Sequence, residues 1–235
     1  MNEVARVETT DSTWRSLYRI AAVAVLISVV LIPLTMVAYF LWPPFPEDIL
    51  VVIQEDRLAG LMSLDFMYLA SSLIAIPLFL ALYVTLRRVN HGLAALALAM
   101  GLVGLVCLVP ARPFLEMMTI SDQYAAATTD AQRAAYLAAG EAMLSMFAGT
   151  AYNVHYILGS ASLLVSSFLM LRSSIFGRGT AYVGIVSNIV VFGLYVPIVG
   201  VYLSLLSVVG YLIWDILLAW RFIQLGWGVS QETEG

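Results

Sequence analysis

Lysine is absent from this chain, cysteine occurs once, histidine twice, and charged residues make up only 11% of it. Each shortage excludes something. Without lysine there is no Schiff-base or acetylation chemistry. The single Cys107 rules out an intrachain disulfide and any metal site built from a cysteine cluster; it lies in an apolar run and reads as a small hydrophobe. His91 and His155 fall in different connections, so a bis-histidine haem or a three-histidine zinc site cannot be assembled from one chain. No Gly-x-Ser-x-Gly, His-Glu-x-x-His or phosphate-cradling Gly-rich loop occurs. Ser160 and Ser162 follow His155 at i+5 and i+7, which are not facing-neighbour spacings on a helix. No cofactor and no metal are expected, and an enzyme is the weakest functional class. A net charge of −4 gives no reason to expect nucleic-acid binding.

The shortage of charge is itself a statement about solvent. A soluble domain carries roughly 25% charged residues, whereas this chain is 62% hydrophobic with a mean hydropathy of +0.94. Lipid must therefore be the solvent for much of its surface. Apolar runs fall near Tyr18–Trp42, Leu61–Leu86, Leu93–Pro110, Ala151–Leu171, Ala181–Pro197 and Val201–Phe222, each close to the roughly 20 residues that a helical span needs. The fold class expected is an all-α membrane protein, a bundle of six transmembrane helices forming one transmembrane domain over residues 1–235. The first run is too long for a signal-peptide core and is followed by Trp42-Pro43-Pro44, not by a small-residue cleavage site, so it reads as an anchor. With the N-terminus inside, the cytoplasmic segments hold Arg6, Arg15, Arg19, Arg87, Arg88, Arg172, Arg178 and Arg221, and the outer ones Arg57, Arg112 and Arg133. That asymmetry places both termini in the cytoplasm by the positive-inside rule, with tails at 1–17 and 226–235. Trp14, Trp220 and Trp227 would then mark the inner interface and Trp42 the outer one.

Between the third and fourth runs, Asp122 to Gly140 is alanine-rich and polar. Thr129 or Asp130 can cap a helix beginning at Ala131. This extra helix, Ala131–Met146, lies along the outer surface before the fourth span or extends that span outward. The connections Leu86–Gly92 and Leu171–Gly177 resemble each other without amounting to a clear internal repeat.

Ionisable groups at membrane depth carry a functional hypothesis by default. Asp65 lies about one turn inside the second run, with Tyr68 and Ser72 on the same face. Arg112 and Glu116 stand at i, i+4 at the outer end of the third, where Pro110 and Pro113 would kink or end the helix. Asn153 and His155 lie near the outer end of the fourth. By this topology Asp65, Arg112, Glu116, Asn153 and His155 can line one externally open polar cavity; the plainer reading makes Asp65 and Arg112 a structural ion pair and sends Glu116 to water. Asp215 falls near the midplane on the sixth run and Asn188 at similar depth on the fifth. This pair reads either as a proton-coupling site or as hydrogen-bonded glue between helices. Gly184 with Asn188, Gly159 with Ser162 and Ser166, and Ser207 with Gly210 offer seams for close helix approach.

From about Arg57 to Leu225 the chain resembles a bacterial family of integral membrane proteins designated domain of unknown function 4386. The resemblance rests on Arg57-Leu58-Ala59-Gly60-Leu61, on Leu82-Tyr83-Val84-Thr85-Leu86-Arg87-Arg88-Val89-Asn90, and on His155 through Gly159 to Leu171-Arg172-Ser173-Ser174-Ile175-Phe176-Gly177-Arg178, followed by the Gly184 helix. It implies a six-helix protein of the bacterial inner (plasma) membrane and assigns no functional residue. The function expected is that of an accessory or regulatory subunit, or a binding protein, acting through helix contacts. Its partners would be the lipid bilayer and a membrane protein or a second copy of the chain. The alternatives are a small-molecule or ion carrier, proton-coupled through Asp215, and an enzyme acting on lipid with Glu116 or Asp65 beside His155.

Overall fold

The computed structural model describes residues 12–228, apart from the side chains of Ser12 and Val201. Arg6 lies outside the described residues, as do residues 1–11 and 229–235 of the two expected tails. Among the described residues every regular element is helical: α1 Ser12–Leu41, α2 Ile49–Glu55, α3 Arg57–Ser63, α4 Phe66–Ile74, α5 Ile76–Leu86, α6 His91–Leu108, α7 Phe114–Ala126, α8 Asp130–Met146, α9 Thr150–Met170, α10 Arg178–Val191 and α11 Gly200–Trp227. Short 3₁₀ turns at Val109–Ala111 and Phe192–Tyr195 follow α6 and α10.

Five stretches are long and apolar enough to cross a membrane: Thr13–Leu41, Phe66–Leu86, His91–Ala126, Asp130–Met170 and Tyr202–Trp227. The expected fifth run is different. Its α-helix, Arg178–Val191, has 14 residues and rises only about 21 Å, short of a hydrocarbon core of about 30 Å. The helices at both ends reach into the expected tails, beginning at Ser12 and ending at Trp227.

The breaks follow local chemistry. Pro110 sits within the 3₁₀ turn after α6 and Pro113 immediately precedes α7, because a proline lacks the amide and clashes with the preceding turn. Thr129 caps α8 with a full capping box: its hydroxyl accepts from the Gln132 amide while the Gln132 side chain accepts from the Thr129 amide. The hairpin between α10 and α11 turns through Ile198, whose φ is 72°. The Leu194 carbonyl comes so close to Gly200 that no Cβ would fit there.

The chain forms two compact units: Met1–Val30, Ile74–Val103 and Ile157–Gly235 make the first, Leu31–Leu73 and Gly104–Tyr156 the second. The first is packed around Tyr18, Leu82, Leu86, Met170, Trp214 and Phe222, all buried. Gly184 of α10 admits Ser167 and the Trp214 indole, and Gly210 of α11 admits Ser187, so two of the expected seams are close approaches of backbone to side chain. Gly159 has open space beside it and forms no such seam. Ser162 instead donates to the Ala97 carbonyl at 2.5 Å. The second unit is packed around Ile49, Ile53, Leu64, Met117 and Phe147. There Gly140 of α8 receives Leu50, and the Ser121 hydroxyl donates to the Leu50 carbonyl at 2.6 Å.

Candidate functional site

Three helix breaks of the second unit supply its polar cluster. The first separates α3 from α4, where Asp65 adopts a left-handed backbone with φ 66°. Asp is one of the few residue types besides Gly that visit this region readily, since its short side chain can bond locally. Asp65 therefore stands at a break, not within a continuous helix as its spacing suggested. The second break carries Arg112, between the 3₁₀ turn and α7. The third is Phe147-Ala148-Gly149, between α8 and α9.

Arg112 joins all three. Its Nε and Nη2 donate to Asp65 Oδ2 at 3.2 and 2.7 Å. Its Nη1 donates to the carbonyls of Ala111 and Phe147, each at 3.1 Å. Four of the five N–H groups of a guanidinium are thereby used. Helix ends leave carbonyls without intrahelical partners, and a planar fork of donors suits them where water is scarce. The faces of the guanidinium are also enclosed: its central carbon lies 4.9 Å from the Tyr152 ring centre, 5.2 Å from Phe147 and 5.4 Å from Tyr68, within cation–π range. The other Asp65 oxygen accepts from the Tyr39 hydroxyl. Phe45, also left-handed at φ 56°, packs against Phe147 with ring centres 4.9 Å apart and planes tilted by 52°.

His155 joins through Tyr68. Its Nδ1 lies 3.0 Å from the Gly104 carbonyl, which can only accept, so Nδ1 carries the proton. Nε2 is then the acceptor for the Tyr68 hydroxyl at 2.9 Å. Both ring nitrogens are thus engaged in the neutral tautomer. Asp65, Arg112 and His155 are 5%, 5% and 8% exposed, so they form a closed cluster and not the walls of an open vestibule.

Two of the expected residues do not join it. Glu116 is exposed in the first turn of α7, where a carboxylate suits the helix dipole. Asn153 donates from Nδ2 to the carbonyls of Ala148 and Gly149, both at 2.9 Å, and so supports the break whose Phe147 carbonyl Arg112 uses. Ser72 donates back to the Tyr68 carbonyl of its own helix. The sequence reading missed Tyr39, Phe147 and Tyr152. The aromatic character of these positions was visible, but nothing in helical spacing shows which faces meet across so many residues.

In the first unit, Asn188 is fully buried and satisfied: Nδ2 donates to the Gly184 carbonyl at 2.8 Å and Oδ1 accepts from the Tyr211 hydroxyl at 2.7 Å. The hydrogen bond expected between Asn188 and Asp215 is replaced by this one, because Tyr211 lies one turn before Asp215 on α11 and reaches Asn188 itself. Asp215 is 8% exposed, and no hydrogen bond to a described residue involves its carboxyl. Beside it the buried indole N–H of Trp214 has no acceptor among the described residues.

No family model, no curated protein and no solved structure matches this chain.

Proposed function

We propose that this protein is a non-catalytic membrane subunit or binding protein that acts through helix contacts. The observation that carries the reading is the closure of the Asp65–Arg112–Tyr68–His155 cluster. Its charges and donors are turned on one another and on backbone carbonyls of the same unit, which is the chemistry of a structural staple. Much of what the chain presents outward is apolar. On α11, Tyr202, Leu206, Val209, Ile213, Ile216 and Trp220 are exposed at alternating spacings of four and three, one continuous stripe along the helix.

The same reading includes six membrane crossings with both termini cytoplasmic. The sixth crossing would use α10 extended by its 3₁₀ turn, Arg178 to Tyr195. A multi-pass protein of a bacterial inner (plasma) membrane, within one transmembrane domain, agrees with the arginine asymmetry and with the family resemblance. The test is gentle extraction from native membranes followed by mass analysis of what co-purifies. A stoichiometric protein partner, or a stable homo-oligomer, is the expected result. A lone chain that moves a solute across reconstituted vesicles would overturn the reading.

A second reading, a small-molecule or proton-coupled ion carrier, draws support from Asp215 alone, a buried carboxyl whose hydrogen-bonding capacity no described residue meets. If Asp215→Asn left every uptake property of reconstituted protein unchanged, that reading would fail.

A further inference from the structure

The described residues of the first unit hold seven arginines and one acidic residue, Asp215. Their distribution is not diffuse. Aromatic and cation contacts tie helix ends together at one end of that unit: Arg87, at the end of α5, lies over the Trp14 ring of α1 at 5.3 Å. Tyr18 of α1 stacks on Phe222 of α11, and Phe176, just before α10, meets the same Phe222 edge-on. Arg19 Nε donates to the Gly226 carbonyl at 2.9 Å, and its guanidinium rests over Trp227 at 5.3 Å. Arg19 and Arg87 therefore border one aromatic core, each over an indole, Trp227 and Trp14, and Arg15 and Arg221 are the sequence neighbours of its Trp14 and Phe222.

Two of the donors, the buried Nε atoms of Arg15 and Arg221, find no acceptor among the described residues. Arg221 uses Nη1 on Gln224 at 2.7 Å, a neutral acceptor, and among the described residues Arg19 donates to a carbonyl. Arginine forks match the geometry of phosphate oxygens, and tryptophan favours the depth of lipid headgroups.

We infer that this end of the first unit is a binding surface for the headgroup phosphate of anionic phospholipids, held chiefly by Arg15, Arg19 and Arg221. This goes beyond the subunit reading and does not depend on it. The competing anions are the chain's own acidic residues outside the described region, Glu3, Glu8, Asp11, Glu232 and Glu234, and the test separates the two.

The full chain in neutral detergent is titrated with phosphatidylglycerol or phosphatidylcholine at equal mole fraction, and retained lipid is counted by native mass spectrometry beside the melting temperature. Phosphatidylglycerol should be retained preferentially and raise Tm, and the preference should shrink as salt screens it. Each of R15Q, R19Q and R221Q should weaken retention about fivefold, the amount expected per basic residue at an anionic surface. R133Q in the second unit should leave it unchanged. Equal retention of the two lipids by the unaltered chain overturns the inference and needs no variant to fold; it is also the result expected if the acidic residues of the chain occupy the site. Undiminished preference in the arginine variants overturns it too, as does equal stabilisation by inorganic phosphate at matched concentration.

Discussion

In the first unit Arg19 and Arg87 border an aromatic and aliphatic core, and helices close on one another over Gly184 and Gly210. In the second unit three arginines face nine acidic residues, and one complete ion pair is buried. The difference follows from continuity. Helices of the first unit run largely unbroken, so their backbone groups are satisfied internally and small residues suffice to pack them. The second unit is interrupted at Leu64-Asp65, at Arg112 and at Phe147–Gly149, and each interruption frees backbone groups that lipid cannot satisfy. Arg112 meets two of those carbonyls and Asp65 at once. A buried ion pair is weak evidence for stability on its own, because desolvation opposes it. Here its value lies in fixing how broken helix ends meet.

That contrast can be broken most sharply in the second unit. Arg112→Ala leaves Asp65 buried without its cation and two carbonyls without a donor. We expect a loss of about 3–5 kcal/mol, read as early unfolding in denaturant titrations in detergent micelles. If the variant unfolded with the parent chain, the staple would be ornamental. In the first unit, Gly184→Val drives a side chain into Ser167 and the Trp214 indole, with an expected cost of about 1–3 kcal/mol from overpacking. The same change at Gly159, which has open space beside it, should fall within about 0.5 kcal/mol once the helix propensity of valine is allowed for. Equal effects at the two glycines would remove the seam argument. The smallest effect belongs to the exposed ion pair of the second unit, Arg57 with Asp122 at 2.9 Å and side-chain exposures of 64% and 51%. Arg57→Ala should cost less than about 1 kcal/mol, and a thermal melt that separated it clearly from the parent chain would show that exposure is a poor guide here.

Much of the helical layout was legible because proline, capping and long apolar runs act locally. Pro110 and Pro113 mark the break between α6 and α7, Thr129 caps α8, and the Pro197–Gly200 hairpin turns tightly. The all-helical class, with helices long and apolar enough to cross a membrane, follows from composition and the length of the apolar runs. The α10 helix was overestimated, since apolar character continues through Phe192–Tyr195 while the backbone tightens into a 3₁₀ turn. At the site, the pairing of Asp65 with Arg112 was readable as opposite charges at matched depth. The break at Asp65 was not, since a left-handed non-glycine residue leaves no periodic signal. Glu116 was placed with Arg112 by i, i+4 spacing, but Arg112 precedes the helix that carries Glu116 and the spacing rule does not reach across its start. Asn188 was matched to Asp215 by depth, whereas Tyr211 has the longer reach and a hydroxyl to donate.

The central claim is that the Asp65–Arg112 pair is a staple whose two members act as one unit. A double-mutant cycle of Asp65→Ala, Arg112→Ala and the combined variant, followed by reversible unfolding of the purified full chain, measures it directly. The account predicts that the double variant is more stable than the sum of the single losses implies, with a coupling energy on the order of 2 kcal/mol or more. Losses that add to within about 0.5 kcal/mol would contradict it and return both residues to the pool of candidate ligand-binding groups.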